Sequence, residues 1–444
     1  MHRQPCRQQA LVSIFRALLK EMTMASTAHS VTPPLDAVQS DPRHMAWMVG
    51  TPPPLEKRVR FEDASMLRFP QNRWANSNFR SLVPTKVVSR GHGPVAPLVR
   101  AERADLDAVL FQPIGATSPM RWDQSLLTNY TDGIVVLHQG KLVYERYFGA
   151  LDADTPHIAF SVTKSFFGTL AACLVHEGKL DEAALVTHYV PELAGSAFGD
   201  ATVRQVMDMT TSLQYSEDYT DPHADIWHHA RAGGFLVRPP GYSGPDNFYA
   251  FLQTVKKAGA HDTGFSYKTI NTDTLGWIIR RITGLSLADY LSQTIWFRLG
   301  MEQDAYLTVD SAGTEFAGAG LNTTLRDLAR FGEFMRHDGR ALGAQVIPSE
   351  VVHNIRRGAD PAKFAHANYH TLPGWSYRSM WWVSHNPHGA YMARGIHGQA
   401  LYIDPKAEMV IARYGSHHIA GNLGIDPHSI PAYHAMALHL MQNP

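Results

Sequence analysis

The first clear pattern is an unbroken apolar run of β-favouring residues in Ile134-Val-Val-Leu-His138, followed after Gln139-Gly140 by a second β-rich run, Lys141-Leu-Val-Tyr-Glu-Arg-Tyr-Phe148. Two β-rich runs around a turn dipeptide predict a hairpin. The pattern then changes: Phe166, Phe167, Leu170, Cys173 and Leu174 recur at helical intervals, and Gly178 stands where such a helix stops. Residues 161–178 are therefore expected as a buried helix. Helical patterns continue over 203–209, 248–257, 272–283, 287–299 and 324–337. Strand patterns return over 391–396, 401–403 and, after an Asp404-Pro405 turn, 409–414, with a helix near 431–441. This order predicts an α/β (α+β) fold: an antiparallel sheet built from both ends of the chain, flanked by helices, with a mainly helical lobe inserted at about 180–340. Residues 1–100 are rich in Pro and Arg, include Thr51-Pro-Pro-Pro54 and show little periodicity. They are expected as an extended or partly disordered leader packing on a domain spanning 101–444.

With 444 residues, 44% of them hydrophobic, the chain can bury a large core. Forty basic and forty acidic residues cancel, so long-range attraction to nucleic acid or an anionic membrane is not expected. Cys6 and Cys173 do not make a disulfide framework, which suits a reducing, cytoplasmic compartment. The apolar run from Ala10 to Leu19 is interrupted by Arg16 and lacks the usual cleavage site, so it does not read as an export signal; Met22 and Met24 offer alternative starts. No stretch reaches about 18 uninterrupted apolar residues, as a membrane span requires.

Chemistry enters at Phe160-Ser-Val-Thr-Lys-Ser165, where Ser161 and Lys164 lie three apart at a helix start and so share one face. A serine hydroxyl needs a base, and a lysine serves as one only when burial or a neighbouring cation lowers its pKa. A helix N-terminus adds its dipole and backbone N–H groups for a developing oxyanion. Chance alone supplies roughly one or two Ser-x-x-Lys pairs in a chain this long. Weight comes from the hairpin before it, the apolar helix after it, and Phe265-Ser-Tyr-Lys-Thr-Ile-Asn-Thr-Asp-Thr-Leu-Gly276. There Tyr267, ahead of a helix, can relay a proton between Ser161, Lys164 and a leaving group, the more so if adjacent cations lower its pKa. A tyrosine by itself is more often packing.

The Ser-x-x-Lys helix, the tyrosine loop before Asn-Thr-Asp-x-Leu and the C-terminal strands resemble the β-lactamase and penicillin-binding-protein superfamily. Within it, Ser161-Val-Thr-Lys-Ser165, Tyr189-Val-Pro-Glu-Leu-Ala-Gly-Ser196, Tyr215-Ser-Glu-Asp-Tyr-Thr-Asp-Pro222, Asn271-Thr-Asp273, Trp381-Trp382 and Gly395-Ile-His-Gly-Gln399 look like the 6-aminohexanoate-dimer (nylon-oligomer) hydrolases. These blocks span most of 130–415, and Asn72-Arg-Trp74 extends the likeness towards the N-terminus.

The resemblance implies a β-lactamase-like fold and an acyl-enzyme formed on Ser161, with Lys164 as base and Tyr267 as proton relay. It further implies that Tyr219 closes on the bound amide and that Trp382 and Ile396 line the pocket. The backbone N–H of Ile396 would join that of Ser161 as the oxyanion hole. No cofactor is implied, and the partner is a small-molecule amide or ester, with a homodimer left open. His397 either lines the pocket or bonds a strand end.

Two departures narrow the substrate. Penicillin-recognising enzymes usually carry Lys-Thr-Gly where this chain has Ala393-Arg-Gly-Ile396, which removes a carboxylate-binding lysine that Arg394 could only partly replace. Efficient nylon-dimer hydrolases carry an acidic residue where His229-Ala-Arg231 places Ala230. A general esterase or amidase is thus expected. The alternatives are a β-lactamase or D-Ala-D-Ala peptidase type, or a silent binding module of the same fold. Twenty-four histidines, among them His228-His229, His366, His370, His385, His388 and His417-His418, come without a His-Glu-x-x-His pattern, so no metal is expected. Nor is there a Gly-x-Ser-x-Gly nucleophile elbow.

Overall fold

The computed structural model describes residues 34–443. The chain divides into Met1–Leu35 and a compact unit Asp36–Pro444, which is described here. The apolar run at 10–19, the alternative starts and Cys6 lie outside the described residues.

The hairpin forms as strands Thr131–His138 and Lys141–Tyr147, and the C-terminal strands as Tyr391–Gly395, Gln399–Asp404 and Met409–Gly415. Met409–Gly415 pairs with Thr131–His138, which closes the two ends of the chain into one eight-stranded sheet. Ser376–Arg378 and Trp381–Val383 extend one side of it. The pairing is antiparallel as expected, except at the far edge, where the short strand Val99–Arg100 runs parallel to Lys141–Leu142. A two-residue strand carries no alternation by which sequence could announce it.

Both faces of the sheet are covered, as strand periodicity requires. Leu401 packs towards Gly332 of the helix Leu325–Arg336, whereas Tyr402, the next residue, meets Tyr433 of the C-terminal helix Asp426–Gln442 at 5.3 Å between ring centroids. The helix Val162–His176 is buried almost all round rather than on one stripe. Phe166 stacks on Phe331 at 3.8 Å, Ser165 Oγ donates to the Met380 carbonyl, and Trp381 Nε1 donates to Thr169 Oγ1. A Cβ at Gly168 would stand 2.1 Å from the Ser379 carbonyl oxygen, so only glycine allows this closeness.

The inserted region is less purely helical than its periodicity predicts. Phe248–Thr254 is helical, but Lys256–Lys257 leaves the helix to pair with Leu213–Gln214. The stretch expected as one helix over 287–299 is a short helix, Leu287–Leu291, continued by a wider turn, Ser292–Trp296. A second sheet orders Thr85–Val88, Ala305–Thr308, Leu321–Thr323 and His157–Ile158. It joins the N-terminal segment, the inserted region and the strand leading into Ser161.

From Asp36 the N-terminal segment belongs to the compact unit, with Trp47, Val59, Met66, Ala75, Phe79 and Val83 buried in a second apolar cluster that includes Phe160, Phe235 and Phe316. Arg73, 2% exposed, fixes this segment to the large sheet. Its guanidinium approaches Asp132 at 3.5 Å and donates to Ser416 Oγ and Ser40 Oγ. Among the described residues no helix is long and apolar enough to cross a membrane.

Candidate active site

Ser161 stands at the N-terminal cap of its helix, placed there by the strand His157–Ile158 and by Ala159, whose N–H donates to the Leu321 carbonyl. The intervening Phe160 has φ 42°, a left-handed conformation that non-glycine residues reach at a cost of about 1–3 kcal/mol. This strained turn swings the chain from strand to helix, and Ser161 lies on the wall of two cavities.

One turn on, Lys164 is 1% exposed, with Nζ 2.7 Å from Ser161 Oγ and 2.6 Å from the Gly318 carbonyl oxygen. Burial lowers its pKa to about 8, against the opposing charges of Glu217 and Asp273. Roughly a tenth of the amine is then neutral at pH 7. Gly318 is itself pinned, since its N–H donates to Asp273 Oδ1 at 3.0 Å, and Asp273 Oδ2 is 3.0 Å from His229 Nε2.

Tyr267 covers the pair, with Lys164 Nζ 5.1 Å from its ring centroid, and it lines the larger cavity together with Ser161. The condition of a pKa lowered by adjacent cations is not met. Burial among Tyr377 and Trp382, reinforced by Glu217, pushes it well above its usual value, and Arg394 offsets this only in part. The phenol stays protonated, able to pass a proton along but not to act as a standing phenolate base.

Tyr219 reaches the same cavities from the loop after Tyr215, and its hydroxyl donates to Glu217 Oε1 at 3.0 Å. Glu217 also accepts from the N–H and hydroxyl of Thr269, at the start of the helix Ile270–Thr283. Trp382 is buried beside Tyr267 with ring centroids 5.5 Å apart. Ile396 borders both cavities at the end of the strand Tyr391–Gly395. A Cβ on Gly395 would lie 2.8 Å from the Ala159 carbonyl oxygen, so a glycine there lets the strand end close on the segment carrying Ser161.

His397 lines the second cavity, and its Nδ1 is 2.7 Å from the His417 carbonyl oxygen, with φ 61° at its own backbone. Burial lowers its pKa and favours the neutral ring. Arg394 lines the larger cavity, but its charge is met by Asp426 at 2.5 Å and its guanidinium lies over Trp382. It is thus a compensated cation rather than a free carboxylate receptor. Among the described residues no three His, Cys, Asp or Glu side chains group so as to hold a metal ion. His388 is taken up by Asp404 and His385 by Ser376.

Ser161, Lys164, Tyr267, Tyr219, Trp382, Ile396 and His397 therefore gather at one place. The sequence pattern did not single out Glu217, although it lies inside the Tyr215–Pro222 block, or Asp273, inside Asn-Thr-Asp. Their importance comes from what they hold in three dimensions, Tyr219 and Thr269 in one case and Gly318 in the other.

A family model described as Beta-lactamase matches residues 130–417. A 6-aminohexanoate-dimer hydrolase of Paenarthrobacter ureafaciens is 38% identical over 351 residues, 78% of this chain and 86% of that protein. A solved structure described as "Putative 6-aminohexanoate-dimer hydrolase from Bacillus anthracis" superposes with a TM-score of 0.80 at 34% identity, covering 89% of this chain and 100% of that one. A family VIII carboxylesterase shares the fold at a TM-score of 0.52 and 15% identity, over 78% of this chain and 99% of its own. The chain belongs to the beta-lactamase family of hydrolases and, within it, to the 6-aminohexanoate-dimer hydrolase group.

Proposed function

We propose that the protein hydrolyses amide or ester bonds of small molecules through an acyl-enzyme on Ser161. The supporting observation is the buried contact of 2.7 Å between Lys164 Nζ and Ser161 Oγ beneath Tyr267. A buried amine with a pKa of about 8 accepts the serine proton as Oγ attacks the carbonyl carbon. The backbone N–H groups of Ser161 and Ile396 hold the oxyanion. Collapse breaks the bond to the leaving oxygen or nitrogen, which takes a proton delivered from Lys164 through Tyr267. Water then attacks the ester on Ser161 by the reverse path and releases the acid. Tyr219, anchored by Glu217, hydrogen-bonds the substrate amide, while Trp382 and His397 shape its surroundings. The chemistry needs no cofactor.

A fluorophosphonate probe and p-nitrophenyl acetate test this directly. Labelling is expected on Ser161 and lost in Ser161→Ala, with Lys164→Ala and Tyr267→Phe slowing acylation by on the order of a hundredfold or more. Absence of labelling in the folded protein, or equal labelling of Ser161→Ala, would refute the enzyme reading. Near-normal rates in both other variants would refute the proton path.

A further inference from the structure

Two cavities meet at Ser161. The larger, about 710 Å³, carries Glu217, Asp218, Lys268, Arg394 and Asp426 on its walls and is lined by Tyr267. The smaller, about 380 Å³, is not lined by Tyr267, and no Asp, Glu, Lys or Arg side chain borders it. Its walls are Leu67, Phe160, Ile226, Ala230, Phe235 and Phe316, with three histidines among the other lining residues. Burial lowers the pKa of two of these, His397 and His418, and so favours their neutral form. Ser161, Tyr219 and Ile396 border both cavities, so a carbonyl at the nucleophile has one substituent in each.

The asymmetry of Tyr267 decides which substituent goes where. The group that departs must receive a proton and therefore emerges on the side of the phenol, into the larger, charged cavity. The acyl group retained on Ser161 Oγ must occupy the smaller one. We infer that this smaller cavity is the acyl chamber and that it selects uncharged, apolar acids, released from esters or amides whose leaving groups are polar.

The assignment rests on the acyl-enzyme reading of Ser161 and adds the chemical class of the acid. Apolar walls reward each buried methylene, whereas a charged acyl tail would lose its hydration and find no counter-ion on the lining. Phe235 and Phe316, 5.1 Å apart between ring centroids, and Leu67 from the N-terminal segment contribute apolar wall to the chamber.

The test holds the leaving group constant and varies the acid: p-nitrophenyl acetate, butyrate, hexanoate, octanoate and 6-aminohexanoate at pH 7. The expected kcat/KM rises about fourfold per added methylene until the chamber fills. The 6-aminohexanoyl ester should fall about a hundredfold or more below the hexanoyl ester. In Ala230→Phe, which narrows the chamber, the octanoyl-to-acetyl ratio should invert; a ratio within one protein is unaffected by how much of it folds. A flat chain-length profile, a charged acid accepted as readily as hexanoate, or an unchanged ratio in Ala230→Phe would overturn the assignment while leaving Ser161 a nucleophile. Failure of the native protein to turn over any ester, acetyl included, would instead overturn the hydrolase reading beneath it.

Discussion

Lys164 is the side chain whose chemistry depends most on its surroundings. Its burial favours the neutral amine, while Glu217 and Asp273 favour the ammonium, and the balance rests near pH 8. As the proposed base it works only when neutral, so kcat/KM should climb as pH rises through about 8 and then level off. Glu217→Gln keeps an acceptor for the Tyr219 hydroxyl but removes the negative charge that holds the proton on Lys164. The midpoint of the profile should move to lower pH, and the variant should be relatively more active below pH 7 than above pH 8. A profile between about pH 6 and about 10 on an acetyl ester measures this, and a midpoint that stays put or rises would show that Glu217 does not act on Lys164. At this scale the sequence was informative about residue types and silent about strength. Ser-x-x-Lys identifies a pair that can touch, but the sign of the Tyr267 shift depends on Tyr377 and Trp382 packed around it, more than a hundred residues along the chain.

At the level of elements, the hairpin and the helix Val162–His176 were legible because each is a long apolar-rich run bounded by a turn or stop signal, Gln139-Gly140 in one case and Gly178 in the other. The second sheet was not, since its strands are two to four residues long and an alternation that brief is indistinguishable from loop. Yet that sheet delivers the chain to Phe160 and Ser161, and it faces the end of the strand Tyr391–Gly395 across a gap that only Gly395 permits. Gly395→Ala would press a methyl against the Ala159 carbonyl and push Ile396 from its place beside Ser161. The expected result is a loss of acylation on the order of a hundredfold, because misplacement by about 1 Å is enough to spoil an oxyanion site. The accompanying loss of stability should be about 1–3 kcal/mol, within the range for overpacking. Stopped-flow acylation alongside urea unfolding separates the two effects. An acylation rate close to that of the native protein would show that the close approach does not set the oxyanion geometry.

Across the whole molecule, the N-terminal segment is the part whose individual contacts its composition says least about. Its Pro-rich, aperiodic sequence predicts an extended or partly disordered leader packing on the domain, and from Asp36 on the packing is specific: Met66 and Phe79 are fully buried in the cluster beneath Phe160, and Leu67 reaches the smaller cavity. Periodicity is silent here because the segment buries residues one at a time rather than along a regular face. Arg73 is its polar anchor, a buried charge whose partners, Asp132, Ser416 and Ser40, come from three separate parts of the chain. Asp132 in turn meets His157 at 3.2 Å, on the strand that leads into Ser161. Removing one member of such a network leaves the opposite charge buried and uncompensated, which typically costs about 3–5 kcal/mol, whereas removing both charges together costs less. Arg73→Met should therefore lower the urea midpoint sharply, and Arg73→Met combined with Asp132→Asn should recover part of the loss. Because His157 begins the strand that leads into Ser161, Arg73→Met should also slow Ser161 acylation under conditions where the variant remains folded. Additive destabilisation in the double variant would mean that the two charges act independently. An unaltered acylation rate in the single variant would confine Arg73 to holding the N-terminal segment in place.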